Sequence, residues 1–224
     1  MTQNSNEPSI ERELSEIAAR LADCYLGTFT HATVERYVFE SYQALAASAR
    51  LRAFLPALTE RFADDRLTAL VQSQSFDPHA VPQVLFICDR NAARSQMAAA
   101  LLAKRTRGRV GIRSAGSRPA AELELEVIET MAEIGADLSA EYPKPLTDEF
   151  VAAADIVVTV GCGDACPVLP GKRYLDWNVP DPAGRPPIEI RRIRDELDLL
   201  IGDLIGYLPG AEAADIHNPR GTVS

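Results

Sequence analysis

Apolar residues recur at helical spacing through the first third of the chain. Ile10, Leu14, Ile17 and Leu21 follow one another at four, three and four positions, making one stripe on an amphipathic helix. Cys24 lies three residues further on and is expected to be a core residue on that stripe. A second helix is predicted over about 33–47, with Val34, Val38, Tyr42 and Leu45 inward. A third starts near Pro56, a favourable first-turn residue, and carries Leu58, Phe62, Ala69 and Leu70. Three such helices with short connections predict a small antiparallel bundle. From Ser73 to Pro82 the pattern breaks into polar residues and two prolines, which marks a linker.

Beyond the linker the period changes. Val84-Leu85-Phe86-Ile87 is a continuous apolar run, predicting a strand over 83–88, and a helix-like stretch opens at Gln96. A second strand is predicted over 110–114, running into Ala115-Gly116, and a helix over 121–134. A further helix falls within 147–154, ahead of a third strand over 155–160. A short fourth strand is predicted over 174–177 and a long closing helix over 188–207. This alternation predicts an α/β fold, a four-stranded parallel sheet with helices on both faces, preceded by the all-α three-helix bundle. The expected organisation is a bundle over 1–76, a linker over 77–82, an α/β domain over 83–209 and a mobile tail over 210–224.

Composition narrows the partners. The 224 residues are 46% hydrophobic, enough for one large domain or two small ones, and carry a net charge of -9. That balance argues against nucleic acid, which needs a basic footprint, but says little about a small anion that meets only a local loop. No apolar run approaches the roughly 18 residues of a membrane span, and the polar start Met1–Glu7 lacks a signal-peptide pattern, so the expected location is cytoplasmic. In that compartment Cys24, Cys88, Cys162 and Cys166 read as catalytic, metal-binding or inert rather than as structural disulfides. His31, His79 and His217 fall in helical, linker and tail segments and receive no catalytic role.

The candidate chemistry centres on Cys88-Asp89-Arg90-Asn91-Ala92-Ala93-Arg94-Ser95, between a predicted strand and a predicted helix. Backbone N–H groups of Asn91, Ala92, Ala93, Arg94 and Ser95, at a loop running into a helix N-terminus, make a nest for a tetrahedral oxyanion. The same field favours a thiolate at Cys88, and Arg94 can clamp the anion with its planar fork of donors. Asn91 suits a left-handed backbone position, and Ser95 can give its hydroxyl proton to the sulfur. The competing reading, a buried structural cysteine with Arg94 on a solvated helix face, leaves the strand–loop–helix context without a purpose.

The third strand runs into Gly161-Cys162-Gly163-Asp164-Ala165-Cys166-Pro167. Ligands of parallel sheets sit beyond the carboxyl ends of strands, so Cys88 and Cys162 share one sheet edge if their strands are neighbours. Cys162 and Cys166 are one helical turn apart, about 6 Å, within disulfide reach. The flanking Gly161 and Gly163 allow that loop to move. Two incidental loop cysteines are the plain alternative; a zinc site is less favoured, since no histidine lies nearby to complete four ligands. Asp181, in Pro180-Asp181-Pro182, is a turn residue in isolation, and beside an oxyanion loop it is a candidate proton donor. Asp164 and Asp176 are weaker rivals for that part.

Together these stretches, with Arg113-Ser114-Ala115-Gly116, resemble arsenate reductases built on the low-molecular-weight tyrosine phosphatase fold, over about residues 82–208. The N-terminal segment resembles the three-helix bundle of some actinobacterial members. The resemblance implies that Cys88 attacks arsenate held by the loop amides and Arg94, while Asp181 protonates the departing oxygen. It implies that Cys162 then attacks Cys88, releasing arsenite, and that Cys166 attacks Cys162 to leave a Cys162–Cys166 disulfide for thioredoxin to reduce. No metal or bound organic cofactor is required by that scheme, and phosphate or sulfate would compete as anions. The chain departs from the family in two places. Asp89 and Arg90 stand where many relatives have neutral residues; they either act on the thiolate with opposite signs or form a solvated rim. The cysteine pair is more closely spaced than in well-known thioredoxin-coupled members, which leaves mycothiol with mycoredoxin as another reductant. A protein-tyrosine phosphatase would use Cys88, Arg94 and Asp181 equally well, but Val179, Pro180, Pro182 and Ala183 around Asp181 offer no ring to grip a tyrosine. A non-catalytic arsenite-binding protein would use the three thiolates and leave Arg94 and Asp181 unexplained. The oligomeric state is not legible.

Overall fold

The computed structural model describes residues 7–50, 52–74, 81–161 and 168–208. Helices α1 (Glu7–Cys24), α2 (His31–Ala46) and α3 (Leu55–Gln74) come first. They are followed by β1 (Gln83–Cys88), α4 (Arg94–Thr106), β2 (Gly111–Gly116), α5 (Leu125–Ala132), α6 (Asp148–Ala153), β3 (Ile156–Val160), β4 (Arg173–Trp177) and α7 (Pro187–Ile205). The four strands form one parallel sheet in the order β2-β1-β3-β4, with Val84 opposite both Ile112 and Ile156. Every residue of β1 and β3 is buried, as expected where both faces of a parallel sheet are covered.

Strand alternation assigns each β1 side chain to a face. Val84, Phe86 and Cys88 point into a core made with Met97, Leu101, Val127, Ile193 and Leu197 of α4, α5 and α7. Leu85 and Ile87 point the other way, against Phe150 and Val151 of α6 and Leu55, Phe62 and Ala69 of α3. Phe62 and Phe150 meet edge to face with centroids 5.9 Å apart. Helix α3 therefore buries two faces, because its Ala63 and Leu67 pack in a separate core with Leu14, Ile17, Val34 and Val38 of α1 and α2. The single stripe expected for this helix accounts for only part of that burial.

Arg66 of α3 adds a polar tie across the same junction. Its guanidinium donates to Glu40 of α2 at 3.1 Å, to Glu149 of α6 at 3.0 Å and to Ser41 Oγ at 3.2 Å. Burial works to raise the Glu149 carboxyl, but hydrogen bonds from Arg66, from a backbone N–H and from Thr147 outweigh it and hold the group below its ordinary value.

Cys24 is exposed, contrary to the expected core placement. Helix α1 ends there, and the inward position one turn beyond Leu21 belongs to Tyr25, four residues on rather than three. Tyr25 packs with the α1–α2 core and hydrogen-bonds Asp64 and Thr68 at 2.8 Å each. The helix expected over 121–134 is shorter, because Glu124 is its N-cap and the Glu124 amide donates to the Ala92 carbonyl of the loop. No helix among the described residues is long and apolar enough to cross a membrane.

Candidate active site

The carboxyl end of β1 delivers Cys88 into a loop that closes at Arg94, the first residue of α4. Ala93 is the helix N-cap and has no side chain that could accept from the first-turn N–H groups. Asn91 takes the left-handed conformation, φ 47°, as its residue type suggested. In that conformation its N–H donates to Cys88 Sγ at 3.2 Å, and Ser95 Oγ lies 2.9 Å from the same sulfur. Asn91 is fully buried, and its Nδ2 donates to Ser95 Oγ at 2.8 Å. Gly116, at the end of the neighbouring β2, is required by this packing: a Cβ there would stand 2.9 Å from Asn91 N and Asp89 O.

Arg94 crosses the mouth of the loop. Its Nη1 reaches the carbonyls of Gly161 (3.5 Å) and Val179 (3.4 Å), and its Nη2 donates to Asp181 Oδ2 at 3.2 Å. Gly161 has φ +64°, and a Cβ there would run into the Arg94 guanidinium. Besides the freedom it lends the loop, Gly161 is required for this close approach of the clamp. A small cleft lined by Cys88, Arg90, Ala92, Ala93, Arg94, Glu124, Asp181 and Ala183 gathers these groups. The Asp181 side chain is about half exposed there, and its Oδ1 accepts from the Ala183 N–H at 3.2 Å. Asp176 lies elsewhere, at the β4 end, where it accepts from Thr159 Oγ1 at 2.5 Å.

The two unexpected loop charges both have partners. Asp89 accepts two hydrogen bonds of 2.8 Å from Arg118, and these hold its carboxyl below the usual range. Arg90 donates to Glu124 at 3.0 Å. Both make a braced rim. Cys162, Cys166 and Asp164, and with them the proposed disulfide, lie outside the described residues, as do His79, His217 and most of the expected linker and tail. What is placed is their strand: β3 is hydrogen-bonded to β1, so the chain leaves β3 at Gly161 beside the Cys88 loop. Gln96, Glu124 and the Tyr142–Lys144 segment also meet the loop, though nothing in their local sequence pattern marks them.

A cysteine presented by the first strand of a parallel sheet, with a helix N-terminus and an arginine facing it, places the chain in the class of phosphatase-type cysteine proteins. The chain belongs to the low molecular weight phosphotyrosine protein phosphatase family, which matches residues 83–214, and residues 14–71 match the N-terminal domain of protein-tyrosine-phosphatase-like proteins. It is 46% identical to a thioredoxin-dependent arsenate reductase of Corynebacterium glutamicum, with a TM-score of 0.80 over 88% of this chain and 96% of that one. It is 35% identical to arsenate reductase 2 of Staphylococcus epidermidis over 53% of this chain and 92% of that protein. A solved arsenate reductase in a phosphate-binding state is 26% identical, with a TM-score of 0.51 over 57% of this chain and 98% of that one.

Proposed function

We propose that this chain reduces arsenate to arsenite, with thioredoxin as the external reductant. The observation that carries the reading is the meeting of Cys88, Arg94 and Asp181 in one cleft at the end of β1, beside the strand that leads into Cys162 and Cys166. Similarity to a thioredoxin-dependent arsenate reductase along nearly the whole chain supports it.

The steps follow from the groups. Arsenate sits against the α4 N-terminus and the amides of Asn91, Ala92, Ala93, Arg94 and Ser95, with Arg94 released from Asp181 to clamp it. Cys88 Sγ attacks arsenic, and Asp181 gives its proton to the oxygen that leaves as water. Cys162 then attacks Cys88 Sγ, the sulfur–arsenic bond breaks, and its electron pair stays on arsenic, which departs as arsenite. Cys166 attacks Cys162, freeing the Cys88 thiolate and leaving the Cys162–Cys166 disulfide. Two thiols are oxidised for each arsenic reduced, and a dithiol carrier restores them. Phosphate and sulfate share the tetrahedral form and compete for the loop. Among the described residues the cleft lining contains no aromatic ring, which favours an inorganic oxyanion over a phosphotyrosine side chain.

The test is arsenate-dependent oxidation of NADPH through thioredoxin reductase and thioredoxin. Turnover is expected with the intact chain and its loss with Cys88→Ser. Wild-type turnover by Cys162→Ser with thioredoxin alone would refute the relay, and hydrolysis of a phosphotyrosine peptide faster than arsenate reduction would overturn the substrate. Mass spectrometry after a single turnover identifies the oxidised pair.

A further inference from the structure

The Cys88 loop is held from behind by groups that take no part in the chemistry above. The starting point is the backbone. The Lys144 N–H donates to Asn91 Oδ1 at 2.7 Å, and an N–H can only donate, so the oxygen of the Asn91 amide must face it. Its nitrogen then faces Ser95 Oγ, 2.8 Å away, and uses that oxygen as acceptor. Ser95 keeps its own hydroxyl proton available for Cys88 Sγ, 2.9 Å away. One backbone amide, two residues past Tyr142, orients three side chains in series.

Gln96 locks the same arrangement. It is buried in the first turn of α4, and its Nε2 donates to Asn91 Oδ1 (3.0 Å), Asn91 O (3.4 Å) and Tyr142 O (3.0 Å). The Tyr142 carbonyl can only accept, which fixes the Gln96 amide without ambiguity. The Tyr142 segment is gripped in turn by the N-terminal helices. Arg61 of α3 donates to Ala140 O at 2.8 Å and lies over the Tyr142 ring at 5.0 Å, with Lys144 over the same ring at 4.5 Å.

We propose that Gln96 is a positioning residue for Cys88, and that α3 acts on the same sulfur through Arg61, the Tyr142–Lys144 segment and Asn91. Gln96 bonds to Asn91 and to the Tyr142 carbonyl, not to the sulfur. It holds Asn91 in the left-handed state in which one amide N–H and the Ser95 hydroxyl both donate to Cys88. Two donors on sulfur favour the thiolate, so loosening Asn91 withdraws that preference. The N-terminal helices thereby acquire a part in reactivity besides the core they share with the sheet.

The experiment is the pH dependence of iodoacetamide alkylation, followed on the Cys88 peptide of the full chain, which needs no arsenate and stands apart from the substrate assignment. Gln96→Met is expected to move the midpoint up by about one pH unit, a roughly tenfold loss of reactive thiolate at pH values well below the midpoint. Arg61→Met, at the surface end of the chain of contacts, is expected to move it the same way by a smaller amount. Arg20→Met breaks the Arg20–Glu60 pair between α1 and α3 and is expected to leave the midpoint unchanged. A lowered melting temperature with an unmoved midpoint in Gln96→Met overturns the positioning role. An unmoved midpoint in Arg61→Met, or an equal shift in Arg20→Met, overturns the link to α3. If Gln96→Met does not fold, Arg61→Met against Arg20→Met decides the proposal.

Discussion

Replacing Gly161 by alanine tests whether the clamp depends on a missing methyl group. Two costs are separable. Gly161 sits at φ +64°, where an L residue loses about 1 kcal/mol. The added Cβ also occupies space held by the Arg94 guanidinium, so the side chain must leave its present track over Gly161 and Val179. An arginine displaced from a bound oxyanion forfeits at least one charge-assisted hydrogen bond, about 1.5–3 kcal/mol. That predicts roughly ten- to hundredfold weaker anion binding. Inorganic phosphate is the probe, titrated calorimetrically into the reduced full-length protein, with thermal unfolding measured alongside. Gly135→Ala is the control: φ is +71° and nothing lies within 4 Å of the new Cβ, so it carries the backbone cost alone. Both variants are expected to melt a few degrees lower, and only Gly161→Ala to lose phosphate affinity. Equal phosphate affinity in the two variants would show that Arg94 is not held as described.

Four further outcomes are expected. Asp181→Asn removes both the carboxylate that occupies Arg94 and the proposed proton donor, so phosphate should bind more tightly while arsenate turnover falls by about 100-fold; tighter binding without the fall would remove Asp181 from the chemistry. Tyr142→Phe should be neutral or stabilising by up to about 1 kcal/mol in urea unfolding, because the Tyr142 hydroxyl is buried with no hydrogen-bond partner among the described residues while the ring keeps its cations. Glu149 has a folded value below its ordinary 4.5, so its contribution to stability is full above 4.5 and disappears as pH falls through the lower folded value. Wild type should therefore exceed Glu149→Gln in stability near neutral pH and converge with it in acid. Phe62→Ala should cost about 3–5 kcal/mol and lower the melting of helices and sheet together, since Phe62 is fully buried against Phe150; independent melting of the helices would contradict the shared core.

Much of the fold was legible because its signals are local. Continuous apolar runs and the helical period of about 3.6 residues separate strands from helices, and the all-buried run at β1 follows from a sheet covered on both sides. The errors arose where partners are distant in sequence. Cys24 continues the α1 spacing numerically, but the helix ends there and Tyr25 takes the inward position through Asp64 and Thr68. The second buried face of α3 depends on Leu85, Phe150 and Val157, none of which its own sequence reveals. At the site, Asn91 and Ser95 were readable from residue type and place in the loop. Gln96 was not, because a glutamine in the first turn of a helix is ordinarily a solvated one.

The amino-acid sequence by itself determined the elements, their alternation, and a loop in which cysteine, asparagine, arginine and serine stand at spacings an oxyanion can use. Local backbone preference and hydrophobic period suffice for that, since each acts over a few residues. Only the tertiary structure decided what those residues meet. It put Asp181 on Arg94, paired Asp89 and Arg90 with Arg118 and Glu124, and brought the Lys144 amide to the back of Asn91. Hydrogen bonds and ion pairs depend on distances of a few ångströms between segments far apart in the chain. Those distances are set by the packing of the whole sheet and its two covering layers.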